Sequence, residues 1–171
     1  MNGQTDVPAL RWGFVGTGGI ANAMANVVAT TPLAELRAVS SRRATSANEF
    51  ADRYDVALRF DGWQAMLESD DIDAVYVATP TSVREEISIA AANAGKHVLA
   101  EKPFASSASV KRIIDACRKN DVAFMDGTHF VHHPRHHAIK NGMAELVGNP
   151  WSVASAFQFG LPNRGDIRYN A

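Results

Sequence analysis

The sequence predicts an α/β fold, a doubly wound and mostly parallel sheet followed by the beginning of a second, α+β domain. Three observations carry that expectation. Six short β-rich runs alternate with stretches of helical periodicity between Trp12 and Met125. One of them, Ala74–Ala78 (AVYVA), is apolar at every position, as a strand covered on both faces requires. After Asp126 the texture changes to a His-rich, Pro-containing segment and then to an alternating run containing Trp151, Val153, Phe157 and Phe159.

Taken in order, Trp12–Val15 is a compact apolar strand ending at Gly16, and Gly19 to Ala29 reads as helix until Thr30, Thr31 and Pro32 break it. Leu36–Val39 reads as the second strand. Thr45–Tyr54 places Ala47, Phe50, Ala51 and Tyr54 at helical spacing. Val56–Phe60 is the third strand, Gln64–Glu68 a short helix, and Ala74–Ala78 the fourth strand. Val83–Asn93 puts Val83, Ile87, Ala90, Ala91 and Ala94 on one face, with Ser82 as its cap and Gly95 as its C′ residue. His97–Ala100, a helix over Ser109–Asn120 and Val122–Met125 complete six strands. Parallel neighbours need crossovers, and the helices between the strands supply them. Residues 1–126 are thus expected to form one domain. Residues 127–171 are expected to be a linker helix and the first strand of an incomplete substrate or oligomerisation domain, so that the chain reads as truncated. The alternating strand at Trp151 has no obvious partner and would expose an apolar face.

With 171 residues, 46% hydrophobic and 20% charged, the composition is that of a globular chain rather than a disordered one. Lys and Arg number 17 against 18 Asp and Glu, which leaves no basic excess to hold a nucleic-acid backbone or an anionic membrane. No apolar run approaches the ~20 residues of a membrane span. The single cysteine, Cys117, fits a reducing compartment and reads as core packing. A cytoplasmic location is expected.

The segment GFVGTGGIANAM sets Gly16, Gly18 and Ala21 in the pattern G-x-G-x-x-A between the first strand and the first helix, the context in which that pattern binds a dinucleotide (Rossmann). Gly16 permits the tight turn, Gly18 lets a pyrophosphate approach the backbone, and Ala21 allows close helix packing. Gly16, Thr17, Gly18, Gly19 and Ile20 therefore form the expected anion-binding turn at a helix N-terminus. An acid for the ribose 2′-hydroxyl is missing after the second strand. The chain there reads Ser40-Ser41-Arg42-Arg43, and Ser41, Arg42 and Arg43 suit a 2′-phosphate. NADP is expected, with NAD the alternative.

Residues 74–105, containing AGKHVLAEKP, together with GTGGIA and VSSRR resemble the N-terminal domain of the Gfo/Idh/MocA oxidoreductases (glucose–fructose oxidoreductase, inositol dehydrogenase, rhizopine catabolism). The resemblance implies a hydride-transferring enzyme acting on a sugar, polyol or related alcohol or carbonyl, and a homo-oligomer at full length. It implies that Lys102 touches the reacting oxygen and is catalytic, that Glu101 lies near the nicotinamide ribose, and that Lys102–Pro103 is cis. Thr79 and Pro80, after the fourth strand, are assigned to the cofactor with Glu101 and Lys102. Two residues depart from the family pattern: Thr81 stands where Asn is common and Arg84 where His is common, the latter placing a charge near the cleft. The second-domain acid/base residue has no match, so this chain alone is expected to be inactive. The alternative is a non-catalytic dinucleotide-binding or regulatory module.

Five histidines fall between 129 and 137. A zinc site would pair His132 with His136 or His133 with His137 on one helix. Pro134 belongs in a helix's first turn and leaves His132 and His133 ahead of it, so no metal is expected.

Overall fold

The protein is described here from a computed structural model covering residues 7–156, 158 and 160. Its elements are β1 (Leu10–Val15), α1 (Gly19–Ala29), β2 (Ala34–Ser41), α2 (Ala44–Tyr54), β3 (Leu58–Asp61), α3 (Trp63–Leu67), β4 (Ala74–Val77), α4 (Thr81–Asn93), β5 (His97–Ala100), α5 (Ser107–Lys119), β6 (Phe124–Asp126) and α6 (Pro134–Leu146). The strands form one sheet in the order β3-β2-β1-β4-β5-β6, and every pair is parallel. The doubly wound expectation holds. The order reverses between β1 and β4, which opens a crevice at the carboxyl ends of those two strands.

Alternation along the central strands divides the core between the two faces of the sheet. Phe14 and Tyr76 point to the side of α1 and α2, with Ala21, Ala25, Val39 and Phe50, and the Phe14 and Tyr76 rings meet edge to face at 4.9 Å. Val15, Val75 and Val77 point to the other side, against Met66, Ile87, Ala91, Ile113 and Cys117. All four residues of β4 are buried, as the uninterrupted apolar run required. Cys117 is core, and burial pushes its thiol up.

The structure departs from the sequence reading where polar groups decide. Helix α4 begins at Thr81 with Pro80 as its N-cap, so Ser82 lies inside the first turn and caps nothing. Pro80, three residues past the end of β4, already occupies the N-cap with φ −53° and ψ 149°, and the helix starts at the next residue. The buried face of α4 carries Arg84, Ile87, Ser88, Ala91 and Ala92, whereas Val83 is exposed. Helix α5 starts two residues early because the Ser106 side chain accepts from the Ser109 amide at 3.1 Å. Val56 belongs to the core but precedes β3, since Asp55 turns the chain with φ 54° before the edge strand begins.

The described residues divide into two compact units between Thr128 and His129. In the second unit, a 3₁₀ turn over His129–His132 is followed by α6, whose first residue is Pro134 and whose N-cap is His133, the Nδ1 accepting from the Arg135 amide at 3.1 Å. Neither i,i+4 histidine pair therefore shares a helix. The strand expected at Trp151 is absent among the described residues: 151–156, 158 and 160 have no ladder partner, and a lone strand has nothing to hold it. Phe157 and Phe159 lie outside the described residues.

Two cations tie the amino end of the sheet. The Arg11 guanidinium grips Asp73 through both carboxylate oxygens at 3.0 and 2.6 Å, joining β1 to the residue before β4. Lys96 is buried and donates to the carbonyls of Ser69 and Ile72 at 2.8 and 3.1 Å. The hydrogen bond from Arg11 holds the Asp73 carboxyl below the usual carboxylate range. A carboxyl that titrates lower in the folded chain contributes fully above about pH 4 and loses that contribution as pH falls through its folded value. Asp73→Asn is expected to lower the urea midpoint at pH 7 and to flatten the fall of stability with acid below about pH 4, measured by urea unfolding across pH.

Candidate functional site

The site is built on the turns that leave four neighbouring strands. Immediately past β1, β4, β5 and β6, the amides of Gly16, Ala78, Glu101 and Gly127 donate to Ser40, Val15, Val77 and Ala100 carbonyls at 2.9, 2.9, 3.1 and 2.8 Å. Each turn thus starts level with its neighbour, and Gly16–Ile20, Thr79–Pro80 and Glu101–Pro103 line one edge of the sheet.

Gly16 has φ +106°, and a Cβ there would sit 2.7 Å from the Ala78 carbonyl oxygen, so the turn requires glycine for its own sake. Gly18 differs. Its backbone is extended at φ −74°, ψ −176°, it is the N-cap of α1, and a Cβ would meet nothing within 4 Å. Nothing inside the protein demands glycine there, whereas an approaching anion would. Gly18, Gly19 and Ile20 are exposed, Thr17 half-buried, and Ala21 is fully buried against the sheet.

Ser41 closes β2, and Arg42 and Arg43 follow it in exposed positions with no ion-pair partner among the described residues. Ser40 is buried and its Oγ finds no partner, as is true of the buried Thr79 Oγ1. Two orphaned hydroxyls at this edge fit a site that a polar ligand completes.

Glu101 is buried, at 4% exposure, and its carboxylate is taken up from inside: the Tyr76 hydroxyl donates to Oε1 at 2.8 Å and the Lys102 amide to Oε2 at 3.3 Å. Burial, and then the bond to Glu101, push the Tyr76 phenol up, so it remains a donor. Gly127 closes the pocket from the far side, since a Cβ there would lie 2.8 Å from Glu101 Oε1. The Lys102 ammonium projects from an exposed residue beside the cis Lys102–Pro103 bond, with no ion-pair partner among the described residues.

Arg84 occupies a place that its sequence position alone did not specify. It is buried, and its guanidinium donates to the carbonyls of Thr79 and Pro103, with Thr81 Oγ1 beside it at 3.4 Å. Thr81 Oγ1 also donates to the Pro103 carbonyl at 3.3 Å. The charge expected near the cleft clasps the turn after β4 to the proline loop after β5. Burial lowers the Arg84 pKa, and the field of Glu101 opposes that shift. Tyr76, Gly127 and Asn22 (below) also escaped sequence reasoning, since no spacing marks a side chain whose partners come from distant turns.

The structure therefore brings Gly16–Ile20, Thr79, Pro80, Glu101 and Lys102 to adjacent turns along one sheet edge, and places Ser41, Arg42 and Arg43 at the end of the strand beside β1. The profile of an oxidoreductase family with an NAD-binding Rossmann fold, GFO_IDH_MocA, matches residues 10–128. A dTDP-3,4-didehydro-2,6-dideoxy-alpha-D-glucose 3-reductase from Actinomadura kijaniata is 34% identical, over 100% of this chain and 52% of the relative. The NADP(+)-dependent scyllo-inositol 2-dehydrogenase IolU of Bacillus subtilis is 38% identical, over 68% of this chain and 36% of its own. Among solved structures, a variant of a 3-ketoreductase from Actinomadura kijaniata, in complex with TDP-benzene and NADP, superposes with a TM-score of 0.86 at 35% identity, covering 94% of this chain and 50% of that one. The chain spans about half the length of the first of these relatives.

The two glycines of the turn separate by experiment. Gly16→Ala is expected to cost about 1–3 kcal/mol of stability, from the positive φ and the contact with Ala78, while Gly18→Ala changes stability by less than about 1 kcal/mol. Urea unfolding of the two variants measures both.

Proposed function

This chain belongs to the Gfo/Idh/MocA oxidoreductase family, and from that premise we propose that it carries the cofactor-binding part of an NADP-dependent oxidoreductase acting on a sugar, polyol or related alcohol or carbonyl. The observation that carries the reading is the row of turns at one sheet edge, where an unobstructed Gly18, two arginines without an ion pair and an exposed Lys102 succeed one another beside the orphaned hydroxyls of Ser40 and Thr79. The relatives named as a scyllo-inositol 2-dehydrogenase (NADP(+)) and as a sugar 3-reductase support both the cofactor and the substrate class.

In this reading the amides from Thr17 to Ile20 hold the pyrophosphate at the positive end of α1. Ser41, Arg42 and Arg43 hold the 2′-phosphate, with Thr79 and Pro80 contributing from the turn after β4. The nicotinamide, when bound, supplies or accepts the hydride. The Lys102 ammonium donates to the substrate oxygen and stabilises the negative charge that develops there as hydride arrives or departs. Glu101, gripped by Tyr76 and by the Lys102 amide, fixes the loop that carries Lys102 beside the nicotinamide ribose. Residues 127–171 then form the linker and the start of the substrate domain of a homo-oligomeric enzyme.

Cofactor choice is testable on the chain as it stands. Calorimetric titration is expected to show tighter binding of NADPH than of NADH. Joint replacement of Arg42 and Arg43 by Ala should remove that preference at a cost of about 10- to 100-fold in NADPH affinity. Gly18→Val should weaken both dinucleotides. Equal affinities in the parent chain would remove the 2′-phosphate assignment.

A separate expectation concerns chemistry. Where NADP-linked turnover of sugars or polyols is measured, Lys102→Ala should lower kcat by at least about 100-fold while NADPH affinity stays within a few-fold. An unchanged kcat would remove the catalytic role of Lys102 and leave it as a surface residue, whereas a parent with no turnover on any sugar or polyol would favour a non-catalytic dinucleotide-binding module.

A further inference from the structure

Asn22 lies in the first turns of α1, half-buried, and every hydrogen-bonding position of its carboxamide is used. Its Nδ2 donates to the carbonyls of Thr17 at 3.1 Å and Gly18 at 2.8 Å. Its Oδ1 accepts from Arg53 Nη1 at 2.8 Å and from the Tyr54 hydroxyl at 3.0 Å. The Tyr54 hydroxyl lies equally close, at 3.1 Å, to the Asn22 backbone carbonyl. Chemistry fixes the orientation of this amide: two carbonyls can only accept and a guanidinium can only donate, so nitrogen faces the turn and oxygen faces α2.

We propose that Asn22 is a positioning residue for the anion-binding turn, holding the Thr17 and Gly18 carbonyls to the helix side and latching the turn through Tyr54 to the end of α2. The proposal rests on the reading that this turn takes a dinucleotide pyrophosphate. An anion is held there by amide N–H groups, and a carbonyl oxygen turned toward it would repel it. The Gly18 carbonyl also accepts from the Asn22 backbone amide at 3.0 Å, so the freedom to rotate that the exposed glycines leave in this turn falls on the Thr17 peptide. The carboxamide of Asn22 removes that freedom, and Tyr54 removes it from the carboxamide. Because the pyrophosphate is common to NADP and NAD, the latch acts on both alike, unlike Arg42 and Arg43. Two other arrangements of Asn22 follow as contrasts: Asn22→Asp sets a carboxylate against two carbonyls, and Asn22→Ala leaves the Thr17 carbonyl unheld while Gly18 keeps only its bond from the backbone amide of residue 22.

The test is NADPH and NADH titration of the 171-residue parent, Asn22→Ala, Tyr54→Phe and the double variant, with urea unfolding of each. Asn22→Ala is expected to weaken both dinucleotides by the same factor, about 3- to 10-fold, and Tyr54→Phe by a smaller one. In the Asn22→Ala background Tyr54→Phe should have no further effect on affinity, because the hydroxyl acts through the carboxamide. Tyr54→Phe deletes one oxygen, so it reads the latch even if Asn22→Ala does not fold. Affinities within about twofold of the parent for Asn22→Ala or, where that does not fold, for Tyr54→Phe would overturn the proposal, as would a Tyr54→Phe effect retained in full without Asn22. A parent chain that takes up neither dinucleotide would overturn the cofactor reading itself, and the latch with it.

Discussion

The parallel ladder between β1 and β4 is the constraint on which the rest of the structure depends. It sets Val15 opposite Val77 and continues one step past both strands through the Ala78 amide, so that the glycine turn and the Thr79–Pro80 turn leave the sheet at the same level. The chain must travel through β2 and β3 and return across β1 to reach β4. That reversal is what separates the helices following β1 and β4 and leaves space between their first turns. The tightness of the Gly16 turn follows from the same pairing. The Ala78 carbonyl lies where a Gly16 side chain would have to go, and the positive φ directs the chain away into α1.

Holding turns in register at a sheet edge leaves backbone carbonyls facing inward, and buried cations answer them. Arg84 satisfies Thr79 and Pro103 at the carboxyl edge, and Lys96 satisfies Ser69 and Ile72 near the opposite one. A buried charge is costly unless hydrogen-bonded, and these carbonyl clusters, with the fields of Glu101 at Arg84 and of Asp73 at Lys96, offset that cost. Arg84 thereby joins the turn after β4 to the loop that presents Lys102. The Tyr76–Glu101 bond holds that loop from beneath, along the same strand whose apolar neighbours form the core. Core and site share β4: alternate residues pack, and Tyr76 alone among them turns a polar end toward the loop.

Much of this was legible in the sequence. Periodicity located all six strands and the helices between them, with His97–Ala100 placed to the residue, because their faces are buried and their pattern records it. The glycine turn was legible because Gly16 answers to a local conformational demand. Arg84 was visible as a departure from a motif, but its role was not, since its acceptors lie on two turns that only the sheet brings together. Asn22 was invisible for the same reason: its partners come from the turn before it and from the end of α2. The strand expected from Trp151 forms no ladder among its described residues. Alternation indicates which face a strand would bury but cannot supply a neighbour for its ladder, and Ser82 failed as a cap because Pro80 had already taken that position.

The division between satisfied and unsatisfied groups then separates scaffold from site. Glu101, Tyr76, Asn22 and Tyr54, and both terminal nitrogens of Arg84, are engaged within the protein, which makes their contribution one of geometry. Gly18, Arg42, Arg43 and Lys102 are exposed at the same edge, and the three cationic side chains form no ion pair among the described residues. The orphaned hydroxyls of Ser40 and Thr79 fall between the two sets, buried yet unpaired. A sheet edge that rigidly orients exposed donors while leaving buried hydroxyls unanswered is organised for a polar ligand rather than for its own stability. All of these residues precede His129 and lie within the first compact unit.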